Sequence, residues 1–342
     1  MSKSLVIFLF IIVACRTTTS TEQPIYQKIS GKTMGVITYN ITYASEQDHQ
    51  TAIDSLMQAI NNELSTYVPT SAISIFNQSA DGIENIDRFP HFSENIDVAI
   101  ACAKASKNAF DPTVMPLVNY WGFGYTGKEA VSEADQAKID SLLQFVGMEN
   151  VIMEANAIRK SNPGVQLDFS ASAKGYFIDE VARFLRTKGV ENYMVEIGGE
   201  GRTAGKNPKG KTWRMGVSVP RADSEVNEIF AAVSMEDEAI ATSGNYRNYY
   251  VVDGKTYSHT IDPKTGLPAP SDLLSVSIIT QACIYADAYA TACMVLGFEK
   301  AKQLVNKLGL EAYFIYDDGH GQLKAYATAG IEDRVERFLE EL

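Results

Sequence analysis

The run Tyr257-Ser258-His259-Thr260-Ile261-Asp262-Pro263-Lys264-Thr265-Gly266 is the most chemically loaded stretch of the chain. It sets a hydroxyl, an imidazole, a second hydroxyl and a carboxylate side by side, then stops strand-like sequence with Pro263 and a turn closing at Gly266. An imidazole titrates near neutral pH and can move a proton. His259 is therefore a candidate general base. A structural histidine in a polar loop explains the run equally well.

Other constellations carry weaker signals. In Asp168-Phe-Ser-Ala-Ser-Ala-Lys174-Gly175 a strand ends, small residues bend the chain and a helix begins. A helix start offers N–H groups to phosphate, and Lys174 adds a point charge. The wording is not that of a P-loop, and a capped helix start with a solvated lysine is the plainer alternative. Asp287 and Thr291 are four residues apart on a helical pattern, so they share a face. Carboxylate and hydroxyl are hard oxygen ligands suited to Mg2+. Spacing alone favours an exposed carboxylate and a back-bonded threonine.

In Val195-Glu196-Ile197-Gly198-Gly199-Glu200-Gly201 a strand ends in glycines flanked by carboxylates. It reads either as close approach of a ligand to backbone or as a bulge. Leu64-Ser65-Thr66-Tyr67-Val68-Pro69 and Ala109-Phe110-Asp111-Pro112 each follow a helix and stop at proline. Tyr67 could stack on a planar ligand, although a buried tyrosine is the commoner fate. Gly31-Lys32-Thr33-Met34-Gly35 is a glycine-bounded turn.

The elements that must position these groups mix helices and strands. Val36–Tyr43 alternates as a strand. Ser45 is expected to cap a helix with an inward stripe of Ile53, Leu56, Met57, Ile60 and Leu64. Ser93 opens a second helix to about Asn108, and Ser132 a third, ended by Gly147. Val151–Arg159 and Gly164–Phe169 read as strands, and Ala171–Lys188 as a helix before Gly189. Strands follow at Tyr193–Ile197, Trp213–Val219, Ile229–Met235 and Ala239–Thr242. A hairpin joins Tyr249–Val252 to Lys255–His259 through Asp253-Gly254. Ser275–Thr280 is a strand, and Tyr285–Leu296 and Glu299–Leu308 are helices. Strands Glu311–Tyr316 and Leu323–Thr328 precede an acidic terminal helix, Ile331–Leu342. Without strict βαβ alternation, this order predicts an α+β fold with much antiparallel sheet.

The 342 residues carry a formal net charge of -12. That field repels polyanions and argues against nucleic-acid binding. A small anionic ligand needs a local cation or metal. Residues 1–14 read as a signal peptide, with Lys3 before the apolar stretch Leu5–Ala14. The end, Ile12-Val13-Ala14-Cys15, resembles a bacterial lipobox in which Cys15 becomes the lipidated N-terminus. Residues 15–24 then form a polar tether and 25–342 a single domain. Cys102, Cys283 and Cys293 form no CxxC pair and read as buried free thiols.

Taken together and in order, the motifs carry a resemblance. Gly-Lys-Thr-Met34-Gly, Leu-Ser-Thr-Tyr67-Val-Pro, Phe110-Asp111-Pro-Thr-Val-Met-Pro, Asp168 with Ala-Lys174-Gly-Tyr, Val-Glu196-Ile-Gly-Gly-Glu, Ser243-Gly-Asn-Tyr-Arg247, Tyr-Ser258-His259-Thr-Ile-Asp262-Pro and Ala-Asp287-Ala-Tyr-Ala-Thr291 are colinear. The chain resembles the ApbE family of FAD:protein FMN transferases, often exported lipoproteins, over nearly all its length after residue 24. The resemblance implies an ApbE-like (T-fold-like) architecture and Mg2+-dependent transfer of FMN from FAD to a threonine or serine of a target flavoprotein, with release of AMP. It implies FAD contacts at Met34, Tyr67, Ala109, Phe110, Asp111, Asp168, Lys174 and Ile261. It implies Mg2+ at Asp287 and Thr291 with the Ala171 carbonyl. His259 is then the candidate base, with Asp287 the alternative. Ser172 and Gly201 depart from the family's usual residues without removing a ligand. An FAD pyrophosphatase and a non-catalytic flavin-binding lipoprotein are the competing readings. The implied location is the extracytoplasmic side of a bacterial membrane, and the implied partner an exported flavoprotein.

Overall fold

A computed structural model of the chain describes residues 24–126, 131, 133–220, 228–245, 249–252, 255–269, 272–320 and 322–339. Cys15, Ser132, Arg247 and Asp253-Gly254 lie outside the described residues. The first half runs β1 (Tyr26–Thr33), β2 (Ile37–Ala44), α1 (Gln50–Leu64), α2 (Ala72–Gln78), β3 (Gly82–Glu84), α3 (Pro90–Ser106), α4 (Met115–Tyr120), α5 (Gln136–Leu143), β4 (Val151–Met153), β5 (Ala157–Lys160) and α6 (Ala173–Thr187). Then come β6 (Tyr193–Ile197), β7 (Glu200–Ala204), β8 (Trp213–Ser218), β9 (Ile229–Met235), β10 (Ala239–Gly244), β11 (Tyr249–Val252), β12 (Lys255–Ser258) and β13 (Leu273–Thr280). The chain closes with α7 (Cys283–Leu296), α8 (Phe298–Leu308), β14 (Glu311–Asp317), β15 (Leu323–Ala327) and β16 (Val335–Arg337).

The main sheet has the order β1-β2-β6-β7-β10-β13-β14-β15, and every neighbouring pair is antiparallel. Its middle strands are largely buried on both faces because both faces are covered. Side chains alternate across a strand, so Ala241, Val276 and Phe314 enter one core while Ile240, Ile279 and Ile315 enter another. Helices α1, α6, α7 and α8 cover the first face, with α3 laid over α1 and α7. A second sheet, β16-β9-β8, covers the other through Trp213, Met215, Val217 and Phe230. The expected α+β class holds. Cys102, Cys283 and Cys293 are free and buried, as read from their spacing.

Several local expectations are corrected. The stripe of α1 is present, but the helix begins at Gln50 rather than after Ser45. Ser45 instead accepts from Gln47 N–H, and Asp48 from Gln50 N–H. Helix α3 starts at Pro90, three residues before Ser93, with a proline at its first turn. Glu63 of α1 accepts the Phe92 N–H at 2.9 Å, so the cap comes from a neighbouring helix. Asp135 caps α5 through Lys138 N–H. Val151–Arg159 is two short strands, paired with each other and with β3.

Gly164–Phe169 is not a strand. The Asn77 side chain accepts from Leu167 N–H at 2.7 Å and donates to Leu167 C=O at 2.8 Å, so one amide takes the place of a neighbouring strand. The described part of the expected terminal helix, residues 331–339, is also not an α-helix. Glu332–Arg334 makes a single 3-10 turn and Val335–Arg337 pairs with β9. Ile331, Val335, Phe338 and Leu339 do fall at helical spacing, but the β9 edge offers backbone partners and Glu238 binds Arg334, and the stretch pairs as a strand instead.

Candidate active site

A cavity of about 630 Å³ opens beside the main sheet. It gathers Ala109, Phe110 and Asp111 from the end of α3, Asp168, Ala171 and Lys174 from the approach to α6, and His259 and Ile261 from the segment after β12. Asp287 and Thr291 of α7 and Tyr67 beyond α1 complete the set. Met34 lies outside it, in an adjoining cavity of about 190 Å³ that shares Tyr67, Asp168 and Lys174 with the first. Residues more than 200 positions apart in the chain thus meet around one space of a size that holds a cofactor.

Helices α6 and α7 fix the charged end by capping each other. Asp287 of α7 accepts the Gly175 N–H in the first turn of α6 at 3.1 Å. Asp179 of α6 accepts the Ile284 N–H in the first turn of α7 at 3.0 Å. A carboxylate is favoured at a helix N-terminus by orphan donors and by the dipole. The contact requires Gly175, where a Cβ would meet the Cys283 carbonyl oxygen at 2.3 Å. The start of α6 is therefore not an open ring of phosphate-binding donors, as the sequence suggested. The Ala173 N–H goes to Phe169 C=O, and Asp287 takes that of Gly175. What faces the cavity there is the Lys174 ammonium.

Lys174 lies directly on Glu200 and 3.7 Å from Asp287 Oδ1. Asp287 and Glu200 are each 2% exposed. Burial works against the lysine's charge, but Asp287 and Glu200 outweigh it and hold the ammonium above the usual lysine range. Burial, then the Asp287 charge, push Glu200 up to about 8 against the pull of Lys174. Glu200 follows the Gly198-Gly199 turn between β6 and β7, where both glycines have positive φ (59° and 90°). The glycine run is thus a tight hairpin whose tip lines the cavity. Sequence reading noted Glu200 but gave it no role. Its only local signal is a carboxylate straight after a glycine turn, and the burial comes from packing.

The His259 segment is a second built element. Ala269 N–H donates to Thr260 C=O at 2.8 Å, Asp262 N–H to Leu267 C=O at 2.9 Å and Gly266 N–H to Asp262 C=O at 2.8 Å. The Asp262 carboxylate accepts from Lys264 N–H at 2.9 Å, a turn function. Trp121 Nε1 donates to Gly266 C=O at 2.7 Å and packs with Leu117, Ile139 and Ile261. This small core anchors the segment, and Phe123 meets the His259 ring edge-on with centroids 6.4 Å apart.

At the apolar end, Ala109 and Phe110 are buried. Asp111 Oδ1 accepts from Thr113 N–H and Oγ1–H, while its buried Oδ2 has no partner. Burial pushes this carboxyl up to about 6, against those Thr113 bonds. Tyr67 is 75% exposed on the rim, edge-on to Tyr125, so it belongs to the surface and not to the core.

Among the described residues no group of three or more His, Cys, Asp or Glu is placed to hold a metal ion. One buried carboxylate at Asp287 and the hydroxyls of Thr291 and Ser243 (3.3 Å apart) are hard oxygen donors around one space, which Ala171 also lines. That set fits Mg2+, which takes few protein ligands beside water and phosphate.

This fold and this cavity define a class of protein. A family model described as the ApbE family matches residues 34–314. The chain belongs to the ApbE family. It is 38% identical over 324 residues to the FAD:protein FMN transferase of Vibrio cholerae, covering 91% of this chain and 93% of the relative. It is 34% identical over 313 residues to that of Haemophilus influenzae, covering 88% and 89%. Among solved structures, the flavin transferase ApbE from Vibrio cholerae superposes with a TM-score of 0.80 at 35% identity, covering 91% of this chain and 99% of that one. The apo flavinyl transferase ApbE of Pseudomonas stutzeri gives 0.79 at 29% identity, covering 92% and 98%.

Proposed function

We propose that the cavity transfers the FMN half of FAD to a threonine or serine hydroxyl of an acceptor protein. The chain is an FAD:protein FMN transferase, in keeping with its family. The observation that carries the chemistry is the meeting of His259, Lys174 and Asp287 on one cavity. The acceptor oxygen attacks the phosphorus of the FMN half, and its proton passes to a ring nitrogen of His259. A new O–P bond forms, the P–O bond to the other phosphate breaks, and AMP leaves with the bonding pair. Lys174 orients the pyrophosphate and offsets its charge. Tyr67 offers an exposed face to a ring of the dinucleotide, and Ala109, Phe110, Asp111, Asp168, Ile261 and Met34 border the rest.

Asp287, Thr291 and the Ala171 carbonyl would hold Mg2+, which supplies positive charge at the pyrophosphate. Local charge of this kind reconciles an anionic substrate with a chain of net charge -12. Cys15 would tether the enzyme, as a lipoprotein, on the extracytoplasmic side, where an exported flavoprotein is the acceptor.

Incubation with FAD, Mg2+ and a threonine-bearing acceptor is expected to release AMP and leave flavin on the acceptor. His259→Ala should keep FAD binding, read by flavin fluorescence, and lose transfer about 10²- to 10⁴-fold. Transfer retained in that variant would place the base elsewhere. FMN and AMP formed without labelling would make the protein a pyrophosphatase.

A further inference from the structure

Two carboxylates, Glu200 and Asp287, share one ammonium, Lys174, which lies directly on Glu200 and pairs with Asp287 at the longer distance of 3.7 Å. Asp287 keeps Oδ2 on the Gly175 N–H and has Oδ1 3.7 Å from Lys174. Glu200 uses Oε1 for the lysine, while its Oε2 is buried without a partner. A buried, unmatched carboxylate oxygen is costly, and this one belongs to a residue lining the cavity.

We propose that Glu200 is a positioning residue for the divalent cation. It draws Lys174 onto itself and keeps it from closer contact with Asp287 than 3.7 Å, so that Asp287 remains available as a metal ligand. A divalent cation beside it favours the ionised form of Glu200, whose second oxygen then accepts from a donor that arrives with the ligand. The water shell of a divalent cation is the chemistry that fits, because Mg2+ retains several waters. Without Glu200 the Lys174 ammonium has Asp287 as its remaining carboxylate partner, and pairing there would compete with the metal. This inference rests on the functional reading above only for the role of Asp287.

The test is a calorimetric Mg2+ titration of the FAD-free protein, with no turnover involved. Glu200→Ala is expected to weaken Mg2+ binding about 10- to 100-fold, the usual effect of removing a group that orients a ligand. Glu200→Gln, which keeps the volume, is expected to weaken it in the same direction and guards against a folding defect in the smaller variant. Adding Lys174→Met to Glu200→Ala should recover most of the loss, because the competing ammonium is gone. A merely structural role for Glu200 predicts no such recovery. Unchanged Mg2+ affinity in both single variants, or a loss that Lys174→Met does not relieve, overturns the inference and leaves the transferase reading intact. A wild-type protein that takes up no Mg2+ overturns both this inference and the metal part of that reading.

Discussion

Asp111 shows what burial does to a single side chain. Its carboxyl holds a proton up to about pH 6, whereas an ordinary aspartate releases it near 3.8. The stability that the neutral form provides is fully present below about pH 3.8 and lost as pH rises through about 6. The folded state binds the extra proton in that window, so unfolding free energy falls with rising pH. The penalty at neutral pH is roughly 3 kcal/mol. Asp111→Asn keeps an oxygen for Thr113 and has no charge to bury. Thermal unfolding of the FAD-free variant between pH 4 and 7.5 should therefore show a flatter pH dependence than wild type; parallel curves would refute this assignment. At this scale much was legible in the sequence, because a histidine, a lysine and an aspartate advertise their chemistry by type. Burial does not. Glu200 and Glu196 look alike in Val195-Glu196-Ile197-Gly198-Gly199-Glu200, yet Glu200 is buried on Lys174 while Glu196 bonds Asn40 and the Gly199 N–H near the surface. Asp262 looked chemical and serves a turn.

Elements place these groups, and the exchange of caps between α6 and α7 is the main device. Their first turns are closed by each other's carboxylates, so Lys174 and Asp287 keep their separation as long as the helices stay in contact. Gly175→Ala would push a methyl against the Cys283 carbonyl. We expect it to cost about 1–3 kcal/mol in thermal or denaturant unfolding. It should also weaken FAD binding through the displaced Lys174. Full stability together with wild-type FAD affinity would contradict this account of the helix pair. Strong stripes such as Ile53, Met57, Ile60 and Leu64 made the helices readable, and alternation did the same for β2. Starts and ends were misplaced where the cap was not local: Glu63 on α3 and Asp179 on α7 come from other helices. The segment 164–169 failed for the same reason, its strand partner being a single asparagine side chain.

The whole molecule is a main sheet with two covered faces, and the residues lining its cavity are drawn from both halves of the chain. Middle strands such as β13, whose Val276 and Ile278 serve one core and Ile279 the other, are buried on both faces, with Ser275 and Ser277 among the buried residues. Sequence patterning marked six of the eight strands of this sheet but neither β1 nor β7, and it did not give the strand order. The colinear motifs implied which distant residues meet, and ten of the eleven non-lipid site positions carried by the resemblance other than His259 line the main cavity, Met34 being the exception in the adjoining one. The central claim is that this cavity forms a covalent bond between the FMN half of FAD and a protein hydroxyl. Its most direct measurement is the intact mass of an exported acceptor flavoprotein after incubation with this enzyme, FAD and Mg2+. A parallel acceptor carries alanine in place of the hydroxyl residue. The account predicts a gain of one FMN unit on the first acceptor and none on the second. An unmodified first acceptor, with FAD either untouched or split to free FMN and AMP, would contradict it.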